Sequence, residues 1–160
     1  MKKWKRILIL LLAVGLMGCA SKNDNEKKLD QRDLSSLAEE LTQPKLYSYE
    51  LSSPFTEDSF SRFFHSVPEG VKGYFYTSTT SSAELMAVML LEEEADAKKM
   101  VKTLNSYMDD SYEEFVKYNP EEAQKLQNRM VEQYGNLVVA VVCAEPEEAK
   151  KILLEYIEEK

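Results

Sequence analysis

The chain has 160 residues, of which 28 are acidic and 20 are basic, so its formal net charge is −8. A surface with this acidic excess repels phosphate backbones, and we therefore expect no nucleic-acid partner. The two cysteines, Cys19 and Cys143, are too few for a fold held together by a framework of disulfides.

The N-terminus has the pattern of a secretion signal. Residues 1–6 carry four basic side chains and no acid, and residues 7–17 form an apolar run. A basic segment followed by a short apolar segment is typical of exported proteins. The apolar run is shorter than the roughly 20 residues that a membrane-spanning helix needs.

Residues 16–19 (LMGC) resemble the lipobox of bacterial lipoproteins, in which an aliphatic, a variable and a small residue precede a cysteine. The resemblance implies that signal peptidase recognises Leu16 and Gly18 and that Cys19 becomes the lipidated N-terminus. Two acyl chains hold a protein stably on a membrane. An ordinary cleaved signal or an uncleaved anchor helix is the alternative.

The predicted organisation has three parts. Residues 1–18 are a lipoprotein signal peptide, residues 19–29 are the lipidated N-terminus and a flexible polar tether, and residues 30–160 are a single extracytoplasmic domain. Removing the signal leaves 16 basic and 28 acidic residues, a net charge of −12. We expect a cell-membrane location, lipid-anchored on the extracytoplasmic side, with an envelope protein as partner.

The first third of the domain predicts two helices. A first helix is predicted because leucines and an alanine recur at helical spacing: Leu34, Leu37, Ala38 and Leu41. Pro44 stops this helix. Residues 46–51 (LYSYEL) alternate, which indicates a short edge strand or an extended linker. Thr56 is the expected N-cap of a short helix that carries three phenylalanines, Phe60, Phe63 and Phe64.

Residues 71–79 and 84–91 flank a small polar turn and predict a β-hairpin, with a helix as the alternative for the second run. Residues 92–118 have the three-and-four apolar spacing of a long amphipathic helix. Asn119 is then expected to cap a further helix that continues to Tyr134 and closes at Gly135.

Residues 137–144 (LVVAVVCA) are apolar throughout, as in a central strand covered on both faces. Pro146 opens the last helix. The predicted fold class is therefore α+β, with a small, mainly antiparallel sheet of three to four strands packed against several helices.

The half from Val71 onward resembles the bacterial lipoprotein family known as the domain of unknown function numbered 4358. An aromatic strand precedes Glu84 at the head of an apolar strand, and a long acidic helix runs to Tyr118-Asn119-Pro120-Glu121. Gly135-Asn136 then leads into the second apolar strand. The resemblance implies an anchored extracytoplasmic domain and brings no activity, substrate, cofactor or catalytic residue.

No catalytic signature is visible in the sequence. It has no glycine-rich phosphate loop, no paired histidines and no nucleophile elbow. His65 is expected to be a helix-end residue, and Cys143 a small buried hydrophobe, with a reactive thiol as the alternative. We predict a non-enzymatic binding or adaptor domain without a cofactor. A small-ligand or divalent-metal sensor is the alternative.

Three residues are candidates for binding a partner. Glu84 opens an apolar strand, where an acid is unexpected, and could be an exposed charge on a sheet edge or simply an edge residue facing water. Tyr74 and Tyr76 are two apart and would share one face of the neighbouring strand, where they could contact a partner or a sugar or pack under a helix.

Overall fold

The computed structural model describes residues 31–159, which form five α-helices and one four-stranded antiparallel sheet. The helices are α1 (Gln31–Leu41), α2 (Glu57–Phe60), α3 (Glu94–Tyr118), α4 (Pro120–Gln127) and α5 (Pro146–Glu158), and the strands are β1 (Lys72–Thr77), β2 (Leu85–Leu90), β3 (Met130–Tyr134) and β4 (Leu137–Val142). The predicted α+β class is confirmed. The predicted signal peptide, lipobox and tether lie outside the described residues. Within residues 31–159, no helix is both long and apolar enough to cross a membrane.

The sheet lies between two helical layers, with strand order β1-β2-β4-β3. Successive side chains of a strand point to opposite faces. On β2, Met86 and Val88 therefore pack with α1 and α5, whereas Ala87 and Met89 pack with the layer of α2, α3 and α4. All six residues of β4 are buried, which confirms the central strand that its apolar run predicts.

The hairpin of β1 and β2 is confirmed, and the helical alternative for the second run is wrong. Gly73 pairs with Met89 in this hairpin and has a φ of 148°. A Cβ atom at this position would lie 2.0 Å from the carbonyl oxygen of Val88. Only glycine lets the two strands approach this closely.

The predicted helix from Asn119 to Tyr134 is wrong in its second half. Asn119 does cap α4, accepting a hydrogen bond from the Glu122 backbone N–H at 3.5 Å. The helix ends at Gln127, and β3 pairs with β4 along the other edge of the sheet. Met130 and Tyr134 are four residues apart, a spacing that puts two side chains on one face in either a helix or a strand. The apolar pattern alone could not separate the two structures.

The predicted edge strand at residues 46–51 does not form, and the segment is a linker that bends at Ser48 and Tyr49 instead of staying extended. A single 3₁₀ turn, Pro44–Leu46, is followed by irregular chain with isolated bridges from Leu51 to Ser78 and from Phe55 to Phe75. Thr56 stands at the N-cap position of α2, which is one turn long, but its side chain makes no capping hydrogen bond.

Candidate functional site

Glu84 is buried immediately before the inner strand β2. Its exposed fraction is 1%, and the next strand position on the same face is Met86, in the core under α1 and α5. The expectation of an exposed charge on a sheet edge is therefore wrong. The edge position was inferred from the charge alone, whereas β2 is flanked by β1 and β4.

Both carboxylate oxygens of Glu84 accept hydrogen bonds from a distant loop. The Ser48 backbone N–H donates to Oε1 at 2.8 Å, and the Tyr49 backbone N–H donates to Oε2 at 3.0 Å. The Lys125 ammonium on α4 donates to Oε1 at 3.0 Å. The buried charge is thus satisfied by two backbone donors and one cation, as a buried carboxylate requires.

Glu122 shares the same cation. Lys125 Nζ donates to Glu122 Oε1 at 2.8 Å, while the Ser82 hydroxyl and the Ala83 backbone N–H donate to Glu122 Oε2 at 2.7 and 2.8 Å. We call Glu84, Lys125 and Glu122 the buried charge triad. Two carboxylates against one ammonium give the triad a net charge of −1.

The hydrogen bonds of the triad outweigh the effect of burial on its ionisation. Burial acts to raise the pKa of Glu122, but the hydrogen bonds from Lys125, Ser82 and Ala83 bring that pKa below its ordinary value. Burial acts to lower the pKa of Lys125, but the hydrogen bonds to Glu122 and Glu84 bring it above its ordinary value. Both groups are charged at neutral pH.

The triad holds the loop of residues 47–49 against the body of the domain. Besides its bonds to the carboxylates, Lys125 Nζ donates to the Ser48 hydroxyl at 3.2 Å and lies 5.4 Å from the centre of the Tyr49 ring. The Tyr47 hydroxyl donates to the Leu41 carbonyl at 2.7 Å. The loop has no regular secondary structure, and these side-chain contacts fix it instead.

A groove of about 530 Å³ lies beside this loop. Residues 42, 44 and 47–52 line it together with Tyr76, and we call it the tyrosine groove because Tyr47, Tyr49 and Tyr76 share it. Burial, with Tyr74 and Glu39 adding to it, raises the pKa of Tyr76, so its hydroxyl stays protonated at neutral pH.

The structure separates the three candidate residues. Tyr76 lines the groove, and Glu84 holds the loop that forms the groove wall. Tyr74 and Tyr76 are both half-buried and pack on the core under α1 and α5, so the packing interpretation is confirmed for both residues.

Four residues of the site were not among the candidates. Tyr47 and Tyr49 alternate in LYSYEL, a pattern that indicated a strand and not a groove wall. Glu122 and Lys125 are three apart on a helix, the spacing of a side-chain ion pair. That spacing was visible in the sequence, but the carboxylate of Glu84, 41 residues away from Lys125, was not connected to it.

A second cavity, of about 240 Å³, lies between the loop after α2 and the middle of α3. Its lining includes Phe63, His65, Lys102, Tyr107 and Asp110. His65 is exposed, and it borders this cavity with a cation, an acid and two aromatic rings nearby. In residues 31–159 no group of three or more histidine, cysteine or acidic side chains is placed to hold a metal ion.

Cys143 is buried in the core under α1 and α5, with an exposed fraction of 4%. Burial, with the carboxylates of Glu84 and Glu145 adding to it, raises the pKa of its thiol to about 11, although a backbone hydrogen bond from Glu145 and the charge of Lys125 act in the opposite direction. The thiol is therefore protonated at neutral pH. The interpretation as a small buried hydrophobe is confirmed.

The family model of the domain of unknown function DUF4358 matches residues 45–143. The chain belongs to this family. The DUF4358 region contains all four strands, the buried charge triad and most of the tyrosine groove, while α1 and α5 lie outside it. No curated protein matches the chain, and no solved structure does.

Proposed function

We propose that this DUF4358 protein is a membrane-anchored extracytoplasmic lipoprotein of a bacterial cell envelope, and that its domain is a non-enzymatic binding or adaptor domain. Residues 1–19 support the anchor, because a basic segment, a short apolar segment and the LMGC sequence follow one another. The folded part of the chain supports the binding role.

The observation that carries the binding role is the tyrosine groove with its fixed wall. Its volume of about 530 Å³ falls within the range of about 300–1,000 Å³ that is common for ligand sites. Tyrosine rings offer large contact areas with little conformational freedom to lose, and their hydroxyls offer hydrogen bonds. Because the triad already orders residues 47–49, a partner does not have to order them on binding.

The anchor is tested by feeding cells an alkyne-tagged fatty acid and isolating the membrane fraction. The wild type is expected to carry the tag and to sediment with membranes, and Cys19→Ala is expected to lose both properties. Cys143→Ala is the matched control, since its thiol is buried and should not affect labelling. Equal labelling of wild type and Cys19→Ala would contradict the anchor.

The binding role is tested by placing a photo-crosslinking amino acid at Tyr49 in cells. Tyr49 is 48% exposed at the groove, and Leu154, 40% exposed on α5, is a control of similar exposure outside the groove lining. We expect one dominant crosslinked envelope protein from position 49 and none from position 154. The same products from both positions, or none from 49, would contradict a binding role for the groove.

A small-ligand sensor is the second candidate, and the cavity lined by Phe63, Lys102 and Asp110 favours it, since it combines an aromatic wall with both signs of charge. A ligand that binds the folded state raises the melting temperature by mass action. A thermal screen of metabolites and divalent cations against wild type and Lys102→Ala tests this candidate. A flat screen would remove it, and a shift lost in the variant would support it.

A further inference from the structure

We propose that the tyrosine groove recognises a cationic side chain on a basic segment of a partner protein. This inference rests on the proposed function of the groove as the binding surface and adds the chemistry of its partner. Three features support it: the charges around the groove, its aromatic rings, and the Lys125 ammonium that already contacts the loop.

The charges around the groove leave an excess of negative charge. Glu50 is the charged residue among those that line it. Lys45 lies next to the lining, but its ammonium is paired with Glu148 on α5 at 2.9 Å. The buried charge triad behind the wall adds a further net −1. Among residues 31–159 no ion pair involves Glu50, and the triad has one more carboxylate than ammonium, so the wall carries an excess of negative charge.

The rings of the groove are suited to a cation. Lysine and arginine side chains bind over tyrosine faces within about 6 Å of the ring centre, and a neighbouring carboxylate strengthens the contact. Tyr49, which is 48% exposed, and the half-buried Tyr76 border the groove together with Glu50, whereas Tyr47 lines it but is buried. An arginine or lysine entering the groove would meet both kinds of group at once.

Lys125 shows this chemistry within the chain itself. Its Nζ lies 5.4 Å from the centre of the Tyr49 ring while it pairs with Glu84 and Glu122. An ammonium group thus already lies near both a tyrosine ring and carboxylates at this loop. The net charge of −8 of the whole chain acts in the same direction, because it attracts basic partners over a distance.

The test uses the full-length chain in a neutral detergent and a fluorescein-labelled peptide made of Gly-Ser-Arg repeats, measured by fluorescence anisotropy. The control peptide has citrulline, which is neutral and of similar shape, in place of arginine. We expect the arginine peptide to bind at least tenfold more tightly than the citrulline peptide. We also expect Glu50→Gln and Tyr49→Leu each to weaken its binding by about tenfold.

Glu57→Gln is the matched control variant, since Glu57 is an exposed acid in the first turn of α2 and does not line the groove. It removes the same charge and should leave binding unchanged. An equal loss in Glu57→Gln and Glu50→Gln would overturn the proposal, because it would show attraction to the acidic surface in general. Equal binding of the two peptides would overturn it as well.

A neutral chitin oligosaccharide is the third probe. If it binds in the groove and the arginine peptide does not, the groove recognises a glycan and the proposal fails. The crosslinking experiment at Tyr49 distinguishes a failure of the binding role from a failure of the cationic chemistry. A crosslinked partner in cells without arginine-peptide binding refutes only the cationic chemistry, whereas the absence of a crosslink refutes the binding role itself.

Discussion

Replacing Glu84 with alanine should be among the most damaging single changes in the domain. The substitution removes the acceptor of two backbone N–H groups, those of Ser48 and Tyr49, and one of the two carboxylates that pair with Lys125. The loop of residues 47–49 loses its main attachment to the sheet, and the groove wall loses its order.

The expected loss of unfolding free energy is about 3 kcal/mol. Removing one partner of a buried ion pair costs about 3–5 kcal/mol, because the other partner is left without compensation. The lower end applies here, since Lys125 keeps Glu122 and its side chain is 17% exposed. Domains of this size are stable by about 5–15 kcal/mol, so the variant should still fold.

Urea unfolding followed by circular dichroism measures this loss. Glu84→Gln keeps the size of the side chain and one acceptor oxygen but turns an NH₂ group toward donors. We therefore expect it to lose about 2 kcal/mol of unfolding free energy. Glu113→Ala is the matched control, because Glu113 is an exposed acid on α3, where a change stays within about 0.5 kcal/mol.

A double-mutant cycle with Lys125→Met separates the ion pair from the backbone bonds. The pair lies in direct contact, so the double variant should lose less stability than the sum of the two single variants, by about 1 kcal/mol or more. A loss below about 1 kcal/mol for Glu84→Ala, with additive effects in the cycle, would refute the assigned role of the triad.

Three further predictions concern two glycines, the loss of stability at acid pH and the thiol of Cys143. Gly73→Ala should cost about 3 kcal/mol or more in urea unfolding, because its Cβ would lie 2.0 Å from a backbone oxygen. Gly135→Ala, with a φ of 56° and no atom within 4 Å of the new Cβ, should cost only about 1–2 kcal/mol, and equal losses would contradict this reasoning. The folded pKa of Glu122 lies below its ordinary value of 4.5, so its contribution to stability is complete above about pH 5 and is lost as the pH falls through the folded pKa. Glu122→Gln should therefore flatten the fall in unfolding free energy below about pH 5, and an unchanged slope would refute the shift. The thiol of Cys143 has a pKa of about 11, so at pH 8 it should react slowly with a disulfide reagent in the folded protein and rapidly in urea. Rapid reaction of the folded protein would contradict the burial of the thiol.

Most of the secondary structure followed from local patterns. The apolar run of β4, the hairpin around the polar turn and the amphipathic spacing of α3 each depend on residues close together in the chain. The residues after Gln127 show where this reasoning stops. Met130 and Tyr134 satisfy the period of a helix and of a strand alike, and the pairing of β3 with β4 decides between them.

The site depended even less on local sequence. Glu84 was singled out because an acid opens an apolar strand, but its environment was judged from the charge, which favours water. Its burial depends on donors 35, 36 and 41 residues away: Tyr49, Ser48 and Lys125. Sequence spacing cannot show that three such distant groups converge on one carboxylate.

By itself, the sequence determined the fold class, the family, the signal-like N-terminus and the central strand. Each of these depends on the composition, the order or the periodicity of residues that are close together in the chain. The tertiary structure decided which strand lies at the edge, where β3 begins, and that Glu84 faces the interior. It also formed the tyrosine groove, in which Tyr76 of β1 meets the loop of Tyr47 and Tyr49. The physical reason is that burial and hydrogen bonding depend on contacts between distant segments, and these exist only once the sheet and its two helical layers have assembled.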